Sequence, residues 1–415
     1  MASPPAMTAP ATKAACVVAR VPLSSLKFLG VKPTTKMAEP WDDWIPGVLD
    51  KYQMRRLLEE GLIIGKPRRE WKRSLDGSSL NVTLSDEAFE MPGGSVKPSR
   101  RHAYSWLLDQ FGRKCPTPAD ATFTLHAKHT YVFKLRERLN PKRLFTARMH
   151  GQATAKSSVG RVDVLARLIV DGMDTYESFN AESLGNSNGD MYLEITPITF
   201  HVKVRPGTSL SQLRIFKGKP EDVEISGQDL FKTVLGPMAE DGTLSVDLDN
   251  LKINGKQVAA FCAAGNTVKS AIPLWKKRRE ERPNPSKFWT FVKSDKSNRL
   301  RITKDRFYLL RSKERIRVPP GVAIYCRASD ETIGEMRIHY AGFVHPTFGK
   351  ERKDGRIGTP LMFEVRGHQV SVSLADGEKM ANLIFYRMSK DSDSKSDYDS
   401  QELKLSGFFG PWPKK

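Results

Sequence analysis

A mainly β chain, made of two tandem barrel or sandwich units with short helices, is the fold this sequence predicts. Three observations carry that expectation. Short alternating or β-rich stretches, divided by turn residues, run through 78–217 and again through 299–388, the pattern of barrels and sandwiches. The two runs share spacings. Glu194 precedes Gly207 by thirteen residues and Glu364 precedes Gly377 by the same interval; five residues past each glycine stand Gln212 and Asn382, each followed by Leu. Repeated spacings of this kind point to duplication. Finally, 415 residues are many for a single core.

In chain order, residues 1–44 read as an extension outside the fold. Its first 38 residues hold five basic residues and no acid, a composition shared by organelle transit peptides and disordered tails. Met37 opens an alternative start. The stretch "DKYQMRRLLEEGLI", 50–63, has helical apolar spacing and stops at Gly61, so a short amphipathic helix is predicted. Strands follow at "SSLNVTL", "TYVFKL", "RLFTARM", "VDVLARLIV", "MYLEITPITFHVKV" and "SQLRIF". They assign 45–220 to a first unit. Residues 221–298 read as a linker and the start of a second unit, in which "GTLSVDL" weakly echoes "SSLNVTL". Residues 299–409 complete that unit; "FYLLRSKERIRVPP" there resembles "YVFKLRERLNP" in the first.

The net charge of +20 suggests a polyanionic partner: nucleic acid, a phosphorylated ligand or an anionic surface. The charge concentrates between Lys269 and Arg317, with 17 basic and 5 acidic residues, and is densest in "WKKRREER". No aromatic platform or nucleic-acid motif accompanies it, so a solvated linker is the favoured reading and nucleic acid is not the expected partner. Four cysteines without CxxC spacing suggest neither a zinc site nor a disulfide framework. No apolar run reaches the ~18 residues of a membrane helix, and a cytoplasmic location is expected, or an organellar one if 1–38 is a transit peptide.

Two stretches carry candidate chemistry. "KSSVGR" is Lys156, Ser157, Ser158, Val159, Gly160 and Arg161. Two cations and two hydroxyls in one turn suit a ligand with several anionic oxygens, and Gly160 permits close backbone approach. A ligand-free solvated turn is the alternative. "GDMYLEI" sets Glu194 between Leu193 and Ile195, so its side chain points away from both apolar neighbours. It is either a surface glutamate or a carboxylate placed for proton transfer. The eight histidines show no ligand spacing, and the HxE…PCxxC signature of zinc deaminases, Walker loops and nucleophile elbows are absent.

Taken together, these residues resemble the 2′-deoxycytidine 5′-triphosphate (dCTP) deaminase family of the dUTPase-like superfamily, in its long two-unit bacterial form. The family turn Arg/Lys-Ser-Ser-x-Ala/Gly-Arg is similar to 156–161. A strand ending in Leu-Glu corresponds to Tyr192-Leu193-Glu194, and a Pro-Gly turn before Gln-Leu to "RPGTSLSQL". "SSLNVTL" resembles Ala-Ser-Leu-Asp-Leu-Arg-Leu, with Asn81 where Asp is usual. "HYAGFVHPTFG" and "YDSQELKLS" resemble two later family segments. The resemblance covers about 45–409.

It implies two dUTPase-like units and hydrolysis of dCTP to dUTP and ammonia, supplying dUTP for thymidylate synthesis. Lys156, Ser157, Ser158, Val159, Gly160 and Arg161 would bind the triphosphate and Asp174 the nucleotide. Tyr192, Leu193 and Gln212 would line the site, and Glu194 would be the catalytic acid and base. Tyr398, Gln401 and Lys404 would contact substrate from a C-terminal lid. Mg²⁺ would accompany the triphosphate, with no zinc. In the second copy, aligned on Ala341, the turn falls on 327–332. Arg327, Ser329 and Glu364 are the weaker equivalents, and two acids in that turn would repel phosphate. A homo-oligomer, trimeric or pseudo-hexameric, is implied. A dUTP diphosphatase, a bifunctional enzyme and a non-catalytic nucleotide- or nucleic-acid-binding relative remain alternatives.

Overall fold

The protein is described by a computed structural model covering residues 39–185, 187–253, 255–275, 278–328, 336–339 as backbone, 342–350, 357–390 and 405–413. The predicted first helix is α1, Lys51–Glu59. Asp50 accepts from Gln53 N at 2.8 Å, and Gln53 Oε1 accepts from Asp50 N at 3.1 Å, a reciprocal cap. Gly61, at φ +68°, follows its end.

The first repeat contains strands β1 (Ser79–Val82), β2 (Leu84–Met91), β3 (Thr130–Leu139), β4 (Met149–Ala155), β5 (Val164–Val170), β6 (Asp190–Pro197) and β7 (Ser211–Lys217). One sheet carries β4–β7–β1 and a second carries β5–β6–β3–β2. Between them pack Leu80, Phe133, Leu168, Leu193 and Leu213, all fully buried. Helix α2 (Tyr104–Phe111) covers the other face of the second sheet through Tyr104, Leu107 and Leu108, against Val132, Ile169 and Tyr192. Residues of β5 and β6 therefore alternate between two buried environments.

The second repeat contains β8 (Thr243–Asp247), β9 (Phe307–Ile316), β10 (Val322–Ala328), β11 (Thr359–Gly367) and β12 (Lys379–Arg387). Here β8 bridges β9 and β12, so the strands join one continuous ten-stranded sheet. Duplication extends to single hydrogen bonds. Glu137 accepts from Thr83 N and Oγ1, and Glu314 accepts from Ser245 N and Oγ. Gly207 N donates to Leu84 O, and Gly377 N donates to Val246 O.

The register corrects two sequence alignments. Gln212 lies opposite Asn81 and Thr154, whereas Asn382 lies opposite Thr243 and Arg327. Thr243 is therefore the counterpart of Asn81, and Arg327 that of Thr154 rather than of Lys156. Continuing that register aligns Ser329, two residues later than the sequence suggests, with Lys156; Ser329 lies outside the described residues. The sequence alignment was free to slide because few side chains in that turn survive; the hydrogen-bond ladder is not.

The expected linker also differs. Ile272 and Pro273 pair in parallel with Val202 and Lys203 of the first repeat. Residues 289–292 pair with 260–263, which in turn pair with β9. The segment is thus stitched into both repeats. Residues 40–415 form one compact unit. Its larger core combines first-repeat residues with Phe261, Phe288, Trp289, Phe307 and Leu309. Arg214 of β7 crosses the seam as a buried guanidinium. It donates to Ile324 O at 3.1 Å and Ser78 Oγ at 3.3 Å, and lies 3.9 Å from the Phe343 ring centroid. Among the described residues no helix is long and apolar enough to cross a membrane.

Candidate active site

The turn 156–161 leaves β4 as a single helical turn, α3, Ser157–Gly160. Lys156 N donates to Leu210 O, and Val159 N and Gly160 N return to Lys156 O. Val159 is buried in the core and fixes the turn, leaving Ser157 exposed and Ser158 half-buried. Lys156 borders a cavity of about 350 Å³ that Arg73, Arg136, Asn81 and Ser209 also line. Burial pushes its ammonium down to about 8, with Asp76 opposing the shift and Lys66 adding to it.

The other side of the turn faces the second repeat. An ideal Cβ on Gly160 would lie 2.6 Å from Glu364 Oε2 and 3.0 Å from Oε1. The carboxyl of Glu364 thus rests directly on the glycine backbone. Burial raises its pKa well above the usual carboxylate value; Arg161 pulls the other way and Asp163 adds to the rise. Glu364 is 4% exposed. Its strand β11 alternates faces: Phe363 and Val365 enter the second core, while Met362 packs on the first. Two residues beyond Glu364 on its own face, Arg366 ion-pairs with buried Asp163 and reaches Thr199 Oγ1. A hydrophobic residue, a carboxylate and a guanidinium at 362, 364 and 366 therefore clamp β11 onto the end of the turn.

Glu194 has different surroundings. It lies on the face of β6 opposite Leu193 and Ile195, whereas Val159 packs in the core those two residues enter. Arg167 Nε donates to its Oε1 at 3.0 Å, and Tyr176 donates to Oε2 at 3.4 Å. Arg167 also reaches Ser95 Oγ at 3.1 Å. Helix α2, anchored where Tyr104 N donates to Asp171 at 2.7 Å, covers this face. Tyr192 lies under it, 5.2 Å from the Tyr104 ring. Leu193 is core. Gln212 is buried opposite Asn81. Asp174 is half-exposed and ion-paired with Arg100 at 3.0 Å. Arg327 is exposed at the end of β10. Tyr398, Gln401 and Lys404 lie outside the described residues.

The chain's last described segment reaches the turn. Ser406 Oγ donates to Ser158 O at 2.8 Å. Beyond it Phe409 packs against Phe288 and Trp289, Trp412 stacks on Phe291 at 4.4 Å, and Gly410 N donates to Pro283 O. This strap borders a cavity of about 710 Å³ that Met362, Lys252, Arg279 and Arg282 also line, within the roughly 300–1,000 Å³ of ligand pockets. The basic run thus forms part of the strap's dock.

Asp163, Thr199, Arg366, Phe409 and Trp412 were not singled out by sequence. The one available signal was the charged pair at alternate positions of an otherwise apolar strand, "MFEVRG". Among the described residues, no group of three or more His, Cys, Asp or Glu side chains could hold a metal ion.

A duplicated β fold with a hydroxyl- and cation-bearing turn at the seam of its repeats defines a nucleotide-processing protein of the dUTPase-like class. Residues 45–219 match the family model of the 2′-deoxycytidine 5′-triphosphate deaminase N-terminal domain, and 225–409 that of its C-terminal domain. The chain belongs to the dCTP deaminase family, in its long two-unit form. It is similar to the crystal structure of 2′-deoxycytidine 5′-triphosphate deaminase from Agrobacterium tumefaciens, at 26% identity and a TM-score of 0.73, over 83% of this chain and 96% of that one. No curated protein matches it.

Proposed function

We propose that the chain hydrolyses dCTP to dUTP and ammonia. The observation that carries this reading is that both repeats match the two halves of the deaminase family, with 156–161 intact at their seam. The triphosphate is held by Ser157, Ser158 and Arg161, with Lys156 adding charge from its cavity. A carboxylate takes a proton from water as the water attacks C4 of cytosine, then returns it towards N3 and the departing amine. Ammonia leaves and the triphosphate stays intact.

Magnesium accompanies the substrate. Such an ion would be held by the triphosphate oxygens, whose charge it would balance. Asp174 and Gln212 are further nucleotide contacts implied by the family, and assembly into a trimer or pseudo-hexamer follows from the same likeness.

Incubation with dCTP tests the reading. Ammonia together with intact dUTP is expected. Pyrophosphate would identify a diphosphatase, and binding without turnover a non-catalytic relative.

A further inference from the structure

Arg279 and Arg282 of the basic run border the cavity of about 710 Å³ under the C-terminal strap. We propose that this cavity is a second ligand site, and that it takes a small organic anion: an apolar ring or chain bearing one carboxylate, sulfonate or phosphate group.

The lining divides by chemistry. Phe261, Met362, Leu405 and Trp412 give it apolar walls, and Lys252, Arg279 and Arg282 stand beside them. Among its described lining residues there is no Asp or Glu. An apolar body with one negative charge matches that arrangement. The body leaves water against the walls, and the charge meets a cation. A neutral molecule would leave the cations unused, and a polyanion would strand charge against the walls. The fold holds the parts in place. Arg279 and Arg282 flank one short helical turn, in which Arg282 N donates to Arg279 O at 3.4 Å. Gly410 N of the strap donates to Pro283 O at 3.0 Å, which ties that turn to the opposite wall. Trp412 is fixed by its stack on Phe291, with Phe261 at 6.1 Å between ring centroids. The site is separate from the proposed substrate turn. None of residues 156–161 lines it, and Lys156 borders the other cavity. The two meet only through the strap, where Ser406 lines the cavity and donates to Ser158 O.

Two dyes that differ by one charge test the assignment on the full chain. Anilinonaphthalene sulfonate has an apolar body and an anionic group; phenylnaphthylamine is the same body without the sulfonate. The sulfonate should bind saturably, one per chain, and about tenfold or more tighter than the neutral dye, the worth of one charge-assisted contact. The double variant Lys252→Ser, Arg279→Ser replaces two exposed side chains, so its melting temperature should match wild type. It should lose the preference for the sulfonate and keep its affinity for the neutral dye. Trp412→Ala should weaken both dyes. Saturating dCTP should leave the sulfonate bound. Equal affinity for the two dyes, several dyes per chain, or an unchanged preference in the double variant overturns the proposal. So does stoichiometric displacement by dCTP, which would assign the cavity to the substrate. None of these readings uses turnover, so a wild type that releases no ammonia defeats the deaminase reading and leaves this site standing.

Discussion

Gly160 has an unexceptional helical backbone, so its missing side chain answers to space and not to conformation. Alanine is the better helix former by about 1 kcal/mol, yet its methyl group would meet the Glu364 carboxyl at 2.6 Å. Gly160→Ala should therefore destabilise the protein by about 1–3 kcal/mol, as overpacking does. It should also depress ammonia release; thermal melts and the turnover assay read the two effects. Lys156 supplies a second prediction. Its cation is present below about pH 8 and lost above it, so dCTP binding should weaken as pH rises through that value. Lys156→Met should bind more weakly at neutral pH and show a flatter profile, measurable by titration calorimetry across pH 6.5–9. Both residues were legible in sequence because the turn's residue types advertise anion chemistry. Glu364 was legible as a residue but not as a neighbour of Gly160, because a contact spanning some two hundred positions leaves no local spacing to read.

At the level of elements, β11 is held by what alternates along it. Asp163→Asn would leave Arg366 buried and uncompensated, at a cost of about 3–5 kcal/mol. Denaturant unfolding should register that loss, with turnover falling as β11 loosens. The C-terminal strap makes a parallel case. Phe409 is 4% exposed, and Phe409→Ala should cost about 3–5 kcal/mol, lowering the melting temperature while the turn itself remains intact. Strand periodicity foretold that Glu194 points away from its apolar neighbours, and Glu364 was placed only as its counterpart. It could not say what waits on that side. For Glu194 it is Arg167, Tyr176 and α2, an insertion with no counterpart visible in the sequence pattern of the second half. For Glu364 it is the other repeat.

Across the whole molecule, the larger core draws Phe261, Trp289, Phe307 and Leu309 into the first repeat's interior. A fragment ending near residue 222 would expose that surface. It should keep secondary structure but lose fixed tertiary packing, seen as retained far-UV and lost near-UV circular dichroism. The tandem architecture was legible from its repeated Glu-to-Gly spacing. The seam was not, because 269–317 looks like solvated linker by charge, while Ile272 and Trp289 within it are buried strand residues.

The two glutamates once occupied equivalent positions, and each now has its own surroundings: one is capped by a helix of its own repeat, the other meets a glycine across the seam. A protein assembled from identical copies cannot make that distinction, since any change in one copy is made in all. Joining the copies in one gene frees each half to mutate alone, so the surroundings of one glutamate can change without those of the other. Ligand counting should show the result as one nucleotide bound per polypeptide, where two equivalent halves would take up two.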